Sequence, residues 1–272
     1  MTTLVDSKKD ILLEKINQAL KTVSPNASQI VIPEGFHLKD IEHLNEFRDQ
    51  YKSYFNTNDY ADFVEYCNMQ VKKSAICTID SDQMQASVIF DRGTTKEPLH
   101  GQNSAFIKMK KMNAFKLIED ICSRPLNQQM VTEFFEDNAE YFSFFDDKNN
   151  LISCTEVCKR IYKMKVQAKQ ELDSEYNNFS QSQSTYESLA INSAEKPLPE
   201  IIKFTCEPYL GLGLRAFSIR LAPSCSGSDV RLTLSIISYE KHLEDMGQEF
   251  KEKLVESFKD QDIETYVGTF KL

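Results

Sequence analysis

The sequence predicts an α+β fold in which one or two antiparallel sheets are flanked by helices, in one lobe or two. Helical hydrophobic periodicity marks several segments, most clearly residues 7–23 and 127–142. Runs of β-favouring residues are instead grouped around residues 74–112 and in the last third of the chain. A chain of 272 residues that is 41% hydrophobic can bury a sizeable core around such elements.

The N-terminal part predicts two helices and a short strand. Residues 7–23 carry apolar side chains at helical spacing, and "SPNAS" ends that pattern. The segment "QIVIPEGF" at 29–36 predicts a strand that ends in a turn. A second helix is expected at 59–71, where Asp59 is placed to cap its N-terminus.

The middle of the chain predicts a small sheet followed by helices. "SAICTID" (74–80) and "QASVIFD" (85–91) are joined by only "SDQM", which predicts a β-hairpin. "SAFIKMKKM" (104–112) predicts a third strand with alternating apolar residues on one side. Helices are expected at 113–122, 127–142 and 152–175, and Pro125 separates the first two.

The last third of the chain predicts a sheet and a helix. "EIIKFTCEP", "LRAFSIRLAP" and "VRLTLSIIS" favour strands, a helix follows at 239–258, and "ETYVGTF" is a final strand. The polar residues 176–199 form either a flexible linker or two polar edge strands. The expected organisation is an N-terminal helix (1–28), an α+β region (29–175) and antiparallel strands with a C-terminal helix (176–272), the last two of which can equally form one continuous domain.

The charge and cysteine content restrict the class of protein. The formal net charge is −9, which disfavours non-specific nucleic-acid binding because that needs a basic surface. The seven cysteines are scattered, and "MTTLVDSKKDILLEKI" has charges inside any apolar stretch, unlike a secretory leader. No run is long enough to span a membrane. These features predict a cytoplasmic protein with free thiols.

The segment "QQMVTEFFEDNAEYFSFFDD" (128–147) is both aromatic and acidic. On a helical wheel its apolar side chains lie on one side, which predicts that the rings are core residues. Four carboxylates lie on the opposite side, and this acidic stripe is either a solvated face or a surface that attracts a basic partner. The apolar set is Val131, Phe134, Phe135, Phe142 and Phe145, and the acidic stripe is Glu133, Glu136, Asp137 and Glu140.

Few side chains could carry catalysis. Asp80 and Asp91 end neighbouring predicted strands, where carboxylates act as acids or bases, hold a metal, or simply cap turns. Together with His100 they define an enzyme hypothesis. Cys154 and Cys158 share a predicted helix face, but a zinc site needs two more ligands. The glycines of "YLGLGLR" do not complete a dinucleotide fingerprint. Neither a metal nor a cofactor is therefore expected.

A group of lysines precedes the acidic stripe. Lys108, Lys110, Lys111 and Lys116 are interleaved with aromatic residues and could contact a phosphate backbone. Lysines also guard the exposed edges of sheets, and that structural explanation applies equally here. Basic and acidic segments that lie close together make the chain locally bipolar, which favours a charged partner or head-to-tail self-association.

Several short segments carry a family resemblance. They include "IVIPEGFHLKDIEHL" (30–44), "SAICTID" with "ASVIFD", "NQQMVTEFFEDNAEYF" with its distinctive "FFEDN", and "VRLTLSIISYEKHLEDM". On these segments the chain resembles the YfdQ-like family of phage and prophage proteins over roughly residues 30–270. That family has no settled function and supplies no catalytic residues. The resemblance therefore implies a phage-encoded protein in the cytoplasm of the host cell.

Three functional hypotheses follow. The first is a non-catalytic phage or prophage accessory protein that binds another protein, such as a host defence component, through the acidic stripe. The second is an oligomeric nucleic-acid-associated protein of phage recombination or replication, in which the four lysines contact phosphate. The third is an enzyme that uses Asp80, Asp91 or His100. Independently of these hypotheses, a homo-oligomer is expected, and membrane association is not.

Overall fold

A computed structural model describes residues 46–47, 51–71, 75–164, 197–226 and 229–270. The chain divides into two units, Met1–Tyr51 and Lys52–Leu272, and every element below belongs to the second. The predicted helix at 7–23 and the predicted strand at 29–36 lie outside the described residues, as does most of 176–199. The three-part domain organisation stays a prediction.

The α+β class is confirmed. The helices are α1 (Tyr60–Gln70), α2 (Asn113–Ile121), α3 (Gln128–Asp137), α4 (Cys154–Tyr162) and α5 (Tyr239–Phe258), with a 3₁₀ turn at Ala139–Tyr141. The strands are β1 (Ser53–Thr57), β2 (Ala75–Asp80), β3 (Gln85–Ile89), β4 (Asn103–Lys108), β5 (Pro125–Asn127), β6 (Phe142–Phe145), β7 (Leu151–Ile152), β8 (Ile201–Cys206), β9 (Arg215–Ser226), β10 (Asp229–Ile236) and β11 (Ile263–Val267). None of these helices combines the length and the apolar character needed to cross a bilayer.

The first sheet has the strand order β1-β4-β3-β2-β11. Its centre is antiparallel and contains the predicted β2–β3 hairpin, in which Asp80 pairs with Gln85 and Ile76 with Ile89. Both edges are parallel, since β1 runs alongside β4 and β11 alongside β2. Residues 75–79 of β2 are buried throughout because this strand lies inside the sheet and under helices.

The second sheet has the order β5-β10-β9-β8-β6-β7, and its strand pairs are antiparallel. Its strands alternate between buried and exposed residues, as expected for a sheet with one covered face. On β8, for example, Ile202 and Phe204 are buried, whereas Ile201 and Lys203 are exposed. Helices α2 and α3 lie against the covered face, where Phe115 of α2 stacks on Phe217 with ring centroids 5.1 Å apart.

The helices are held by capping and by one apolar face each. Asp59 caps α1 as predicted, accepting hydrogen bonds from the backbone N–H groups of Ala61 and Asp62. Helix α5 buries residues four apart along one side, which is the spacing of a single helical face. Those residues are Met246, Phe250, Leu254 and Phe258. Phe258 meets Phe63 of α1 at 6.3 Å, so α1 and α5 pack together against the first sheet.

Three predicted boundaries are wrong. The helix predicted at 127–142 ends at Asp137, and after the 3₁₀ turn the chain becomes strand β6. The strand predicted at 104–112 ends at Lys108. The helix predicted at 152–175 is observed over Cys154–Tyr162, residues 163 and 164 are not helical, and residues 165–175 lie outside the described residues. The first error matters most, because it changes how the rings reach the core.

Candidate functional site: the acidic stripe and the outer sheet face

The acidic stripe is presented by helix α3 and the turn after it. Asn127 caps the helix by accepting a hydrogen bond from the backbone N–H of Met130 at 2.7 Å. Val131 and Phe135 are fully buried on the side that faces the second sheet. Thr132 is buried with them and satisfies its hydroxyl by donating to the carbonyl of Gln128 at 3.0 Å. This anchoring points the opposite side of the helix into solvent.

All four carboxylates of the acidic stripe, Glu133, Glu136, Asp137 and Glu140, are exposed. Glu133 accepts a hydrogen bond from the neighbouring Gln129 amide at 2.7 Å. No ion pair between described residues includes any of the four. The stripe is therefore a set of negative charges that the described part of the chain does not neutralise.

The position of Glu136 and Asp137 on the helix is electrostatically unfavourable. Both lie in the last turn of α3, which contains no basic residue. The C-terminal end of a helix carries a partial negative charge, and cations there stabilise a helix by about 0.3–1 kcal/mol each. Acidic residues in that turn have the opposite sign, so the free protein is less stable than it would be with neutral side chains there.

The rings beside the stripe form a core, as the sequence predicts, although by a different route. Phe135 reaches the core from α3, and Phe142 and Phe144 reach it by the alternation of strand β6. The Phe135 ring lies 4.8 Å from Phe142 and 5.1 Å from Phe144. Phe145, which the sequence places in the core, lies on the opposite face of β6, half-buried beneath the Lys203 ammonium group. Packing among these rings accounts for them without a bound ligand.

The structure separates the two aspartates of the enzyme hypothesis. Because β2 and β3 are antiparallel, Asp80 and Asp91 belong to opposite ends of the hairpin, on the order of 20 Å apart at strand spacing. Asp80 accepts a hydrogen bond from the backbone N–H of Gln83 and holds the hairpin turn. Asp91 accepts from the backbone N–H groups of Gln102 and Asn103 at 3.0 and 2.9 Å. Each carboxylate thus stabilises a turn or loop.

His100 lies in the loop that Asp91 closes, and its side chain is exposed. The same loop is held by hydrogen bonds from the Leu99 N–H to the Arg92 carbonyl and from the Gly101 N–H to the Asp91 carbonyl. No described hydrogen bond joins the His100 imidazole to Asp80 or Asp91. The structure does not bring the three candidates together.

The four lysines divide into two kinds. Lys108, Lys110 and Lys116 are exposed, whereas Lys111 is half-buried and contacts Glu119 through its ammonium group at 2.8 Å. The Glu119 carboxylate also accepts a hydrogen bond from the Tyr239 hydroxyl. Of the interleaved rings, Phe115 is fully buried and lies 5.3 Å from the Lys111 ammonium group.

The Lys111 cluster joins the two sheets. Lys111 forms a β-bridge with Tyr209 in the loop after β8, and the N–H of Met112 donates to the carbonyl of Pro208 at 2.9 Å. The partly buried Glu119 and the hydroxyl of Tyr239 complete the contact from α2 and α5. Burial and the hydrogen bond to the Glu119 carboxylate both raise the pKa of Tyr239 well above its usual value. The cluster therefore fixes the end of the first sheet to the second.

The buried cysteines of the described residues are not activated. Burial raises the pKa of Cys77, Cys158 and Cys206 to about 12, so these thiols stay protonated at neutral pH. Cys154 and Cys158 share a helix face as predicted, with their sulfur atoms 3.9 Å apart. Both thiols donate to backbone carbonyls of α3. Among the described residues no group of three or more His, Cys, Asp or Glu is arranged to hold a metal ion.

An open cavity of about 300 Å³ lies between the β2–β3 turn and α5. Its apolar lining includes Met84, Leu243 and Met246, and its carboxylates are Asp82, Glu240 and Glu244. None of the site residues predicted from the sequence lines it.

The face of the second sheet that points away from α2 and α3 carries cations that the sequence analysis does not single out. Lys203, Arg220 and Arg231 lie on three neighbouring strands, β8, β9 and β10. The strand registers put Lys203 opposite Ser218, Arg220 opposite Ser235 and Arg231 opposite Ser224, so all three are on one face, here called the outer sheet face. In each predicted strand the polar residues alternate with apolar ones, and this alternation was the sequence signal that could have identified the face.

A family model described as "Uncharacterized conserved protein (DUF2303)" matches residues 5–270. The chain belongs to the DUF2303 family. No curated protein and no solved structure gives a significant match. The family description names no activity, so the DUF2303 chain has to be interpreted from its own surfaces.

Proposed function

We propose that this DUF2303 protein is non-catalytic and acts by binding a basic protein partner through the acidic stripe. One observation carries the proposal: four exposed carboxylates lie on α3 and the turn directly after it, and two of them occupy the last turn of α3, where they destabilise its end. A surface that lowers the stability of the free protein is expected where binding, rather than stability, is selected. A cationic partner would remove that cost by neutralising the helix terminus.

The geometry favours binding over the enzyme hypothesis. Asp80 and Asp91 each complete a turn or loop, and they lie at opposite ends of the hairpin. General acid–base catalysis needs groups that converge on one substrate. The thiols with raised pKa values are protonated, so they are poor nucleophiles.

The finer part of the proposal follows the family resemblance. We place the protein among YfdQ-like phage or prophage accessory proteins that work in the cytoplasm of the host cell. The partner would then be a host protein with a basic surface, such as a component of a defence system. Self-association into a homo-oligomer is part of the same proposal, since the chain presents acidic and basic surfaces at once.

The proposal is tested by neutralising the acidic stripe. The variant Glu133→Gln, Glu136→Gln, Asp137→Asn, Glu140→Gln is compared with wild-type in affinity capture from host cells, at about 50 and 300 mM salt. We expect a specific protein to be captured by wild-type at low salt and lost from the variant. Because the variant removes negative charge from a helix C-terminus, we also expect its melting temperature to be unchanged or higher.

A matched control removes four exposed carboxylates elsewhere, with the same change in net charge. Suitable positions are Glu65, Glu97, Asp120 and Asp260, changed to the corresponding amides. The control should retain the captured protein. Equal loss from both variants would assign the effect to net charge, and equal retention by both would remove the acidic stripe from the function.

A further inference from the structure

We propose that the outer sheet face binds the phosphate backbone of single-stranded nucleic acid. The chain has 41 acidic and 32 basic residues, yet three basic residues lie on this face, one on each of three neighbouring strands. They are Lys203, Arg220 and Arg231, and no ion pair between described residues includes them. This inference depends on the sheet face alone and not on the acidic stripe.

The three cations form a diagonal row. Measured along β9, Lys203 is level with Ser218 and Arg231 with Ser224, with Arg220 between them. Six residues along a strand and two strand spacings across correspond to a row of roughly 22 Å. The part of the acidic stripe on α3, from Glu133 to Asp137, spans about 6 Å of helix, so these carboxylates of a second copy would reach less than half of the row. A linear polyanion can contact all of it.

The side chains between the cations suit phosphate and exposed bases. Ser218 and Ser235 flank Arg220 on the same face, and their hydroxyls can donate to phosphate oxygens. Arginine presents a planar fork of donors that matches phosphate. At one end of the row the Lys203 ammonium group lies 5.5 Å from the centre of the Phe145 ring, which is half-buried. When the Lys203 side chain turns from this ring to a phosphate, the ring face becomes a platform on which a base of a single strand can stack.

The surrounding face permits close approach of a strand. Leu151 and Ile201, which flank Phe145 in the ladder, are exposed, and the position on β9 before the row is Ala216. These uncharged side chains let a strand lie against the sheet, as single-stranded RNA lies on the sheet surfaces that bind it. Duplex DNA presents its base edges only in grooves, so its bases are not free to stack on Phe145.

The test is binding of a fluorescent oligothymidylate of about 15 nucleotides, a length within the site sizes of single-strand-binding proteins. Fluorescence anisotropy is measured with the full chain from about 20 to 200 mM salt. Wild-type should bind at low salt, with a log–log salt slope of about −2, as expected for three phosphate contacts. The variant Lys203→Gln, Arg220→Gln, Arg231→Gln should bind at least about tenfold more weakly, with most of the slope lost.

The matched control is Lys159→Gln, Lys163→Gln, Lys241→Gln, which changes the net charge equally at exposed lysines in or beside helices α4 and α5. Its affinity for the oligonucleotide should fall less than about threefold. Thermal melting should show that both variants are folded. The acidic-stripe variant should bind the oligonucleotide at least as tightly as wild-type, so failure of the protein-binding proposal is separable from failure of this one.

Four outcomes would overturn the inference. The first is that wild-type does not bind at about 20 mM salt, and the second is that the sheet-face variant and the lysine control lose equal affinity for the oligonucleotide. The third is tighter binding of a duplex of equal length. The fourth is salt-sensitive self-association, seen in light scattering, that only the sheet-face variant loses. The last outcome would reassign the face to a second copy of the chain.

Discussion

At the scale of single residues, the groups that resemble catalytic residues in sequence mostly perform structural work. Asp91 shows this most clearly, because its two carboxylate oxygens accept from two successive backbone N–H groups. A strand-end carboxylate has the same sequence signature in either role. Only the antiparallel direction of β2 and β3, which separates Asp91 from Asp80, distinguishes them.

His242 is a residue whose environment has a measurable consequence. Its ring lies 4.9 Å from that of Phe217, and its Nδ1 atom is buried without a described hydrogen-bond partner. Burial, and after it the charge of Arg215, lowers the pKa of His242 below its usual 6.5; Asp245 acts in the opposite direction. The folded state therefore favours the neutral imidazole.

We predict that this histidine makes the protein less stable in acid. Below about pH 6.5 the unfolded chain takes up a proton more readily than the folded one, so the free energy of unfolding falls as pH falls through that window. Urea unfolding of wild-type and His242→Phe at about pH 7.5 and 5.5 measures the effect. The variant should lose less stability than wild-type over this interval, and parallel losses would contradict the prediction.

At the scale of elements, the clearest lesson concerns the junction of α3 and β6. The rings at 134, 135, 142 and 145 fit a helical wheel, so periodicity extended the helix through them. The chain instead stops the helix at Asn138, whose side-chain amide donates to the Phe134 carbonyl at 2.9 Å. After that point Phe142 and Phe144 are buried with a period of two. Both periods bury rings, and local sequence does not discriminate between them.

Short strands escaped the sequence analysis altogether. Strands β1, β5 and β7 have five, three and two residues, and each exists because a neighbouring strand supplies hydrogen-bond partners. By contrast, the β2–β3 hairpin was predictable because its pairing is local. The site followed the same rule: the acidic stripe lies within one segment, whereas the outer sheet face assembles cations from three strands.

Helix α5 approaches the β2–β3 turn so closely that one position requires glycine. A Cβ atom on Gly247 would lie 2.9 Å from the Ser81 carbonyl oxygen and 3.2 Å from its Cβ. In an exposed helix, replacing glycine by alanine stabilises by about 1 kcal/mol. Here the added methyl group meets backbone that would have to move.

We predict that Gly247→Ala destabilises the protein by about 1–3 kcal/mol, the usual range for overpacking. The measurement is chemical unfolding, with Gln248→Ala as the control, since Gln248 is the next residue of the same helix and is exposed. The control should change stability little. Stabilisation by Gly247→Ala would mean that α5 and the turn separate without penalty.

At the scale of the whole molecule, the charge balance predicts how stability depends on salt. A net charge of −9 is spread over a folded chain that brings like charges together, and salt screens that repulsion. We expect the melting temperature to rise by a few degrees between about 20 and 200 mM sodium chloride. Potassium chloride should have the same effect if screening is the cause. A melting temperature that stays constant or falls as salt is added would contradict the prediction.

The fold class was predictable because it depends only on which elements exist, whereas the sheet topology was not. The sequence contains local signals for helices and hairpins, but parallel pairing of β1 with β4 and of β11 with β2 joins segments that share no turn. For the same reason the sequence did not distinguish Lys111, whose charge is neutralised by a partner, from the exposed lysines near it. Its partner Glu119 lies eight residues away on a separate element.

The parallel edge of the first sheet has a consequence for biosynthesis. Ile263 of β11 lies beside Ala75 of β2, roughly 190 residues upstream. On a ribosome that adds about 5–20 residues per second, β2 is synthesised on the order of 10–40 s before β11. During that interval one edge of an apolar strand has unpaired amides, to which chaperones or strands of other chains can bind.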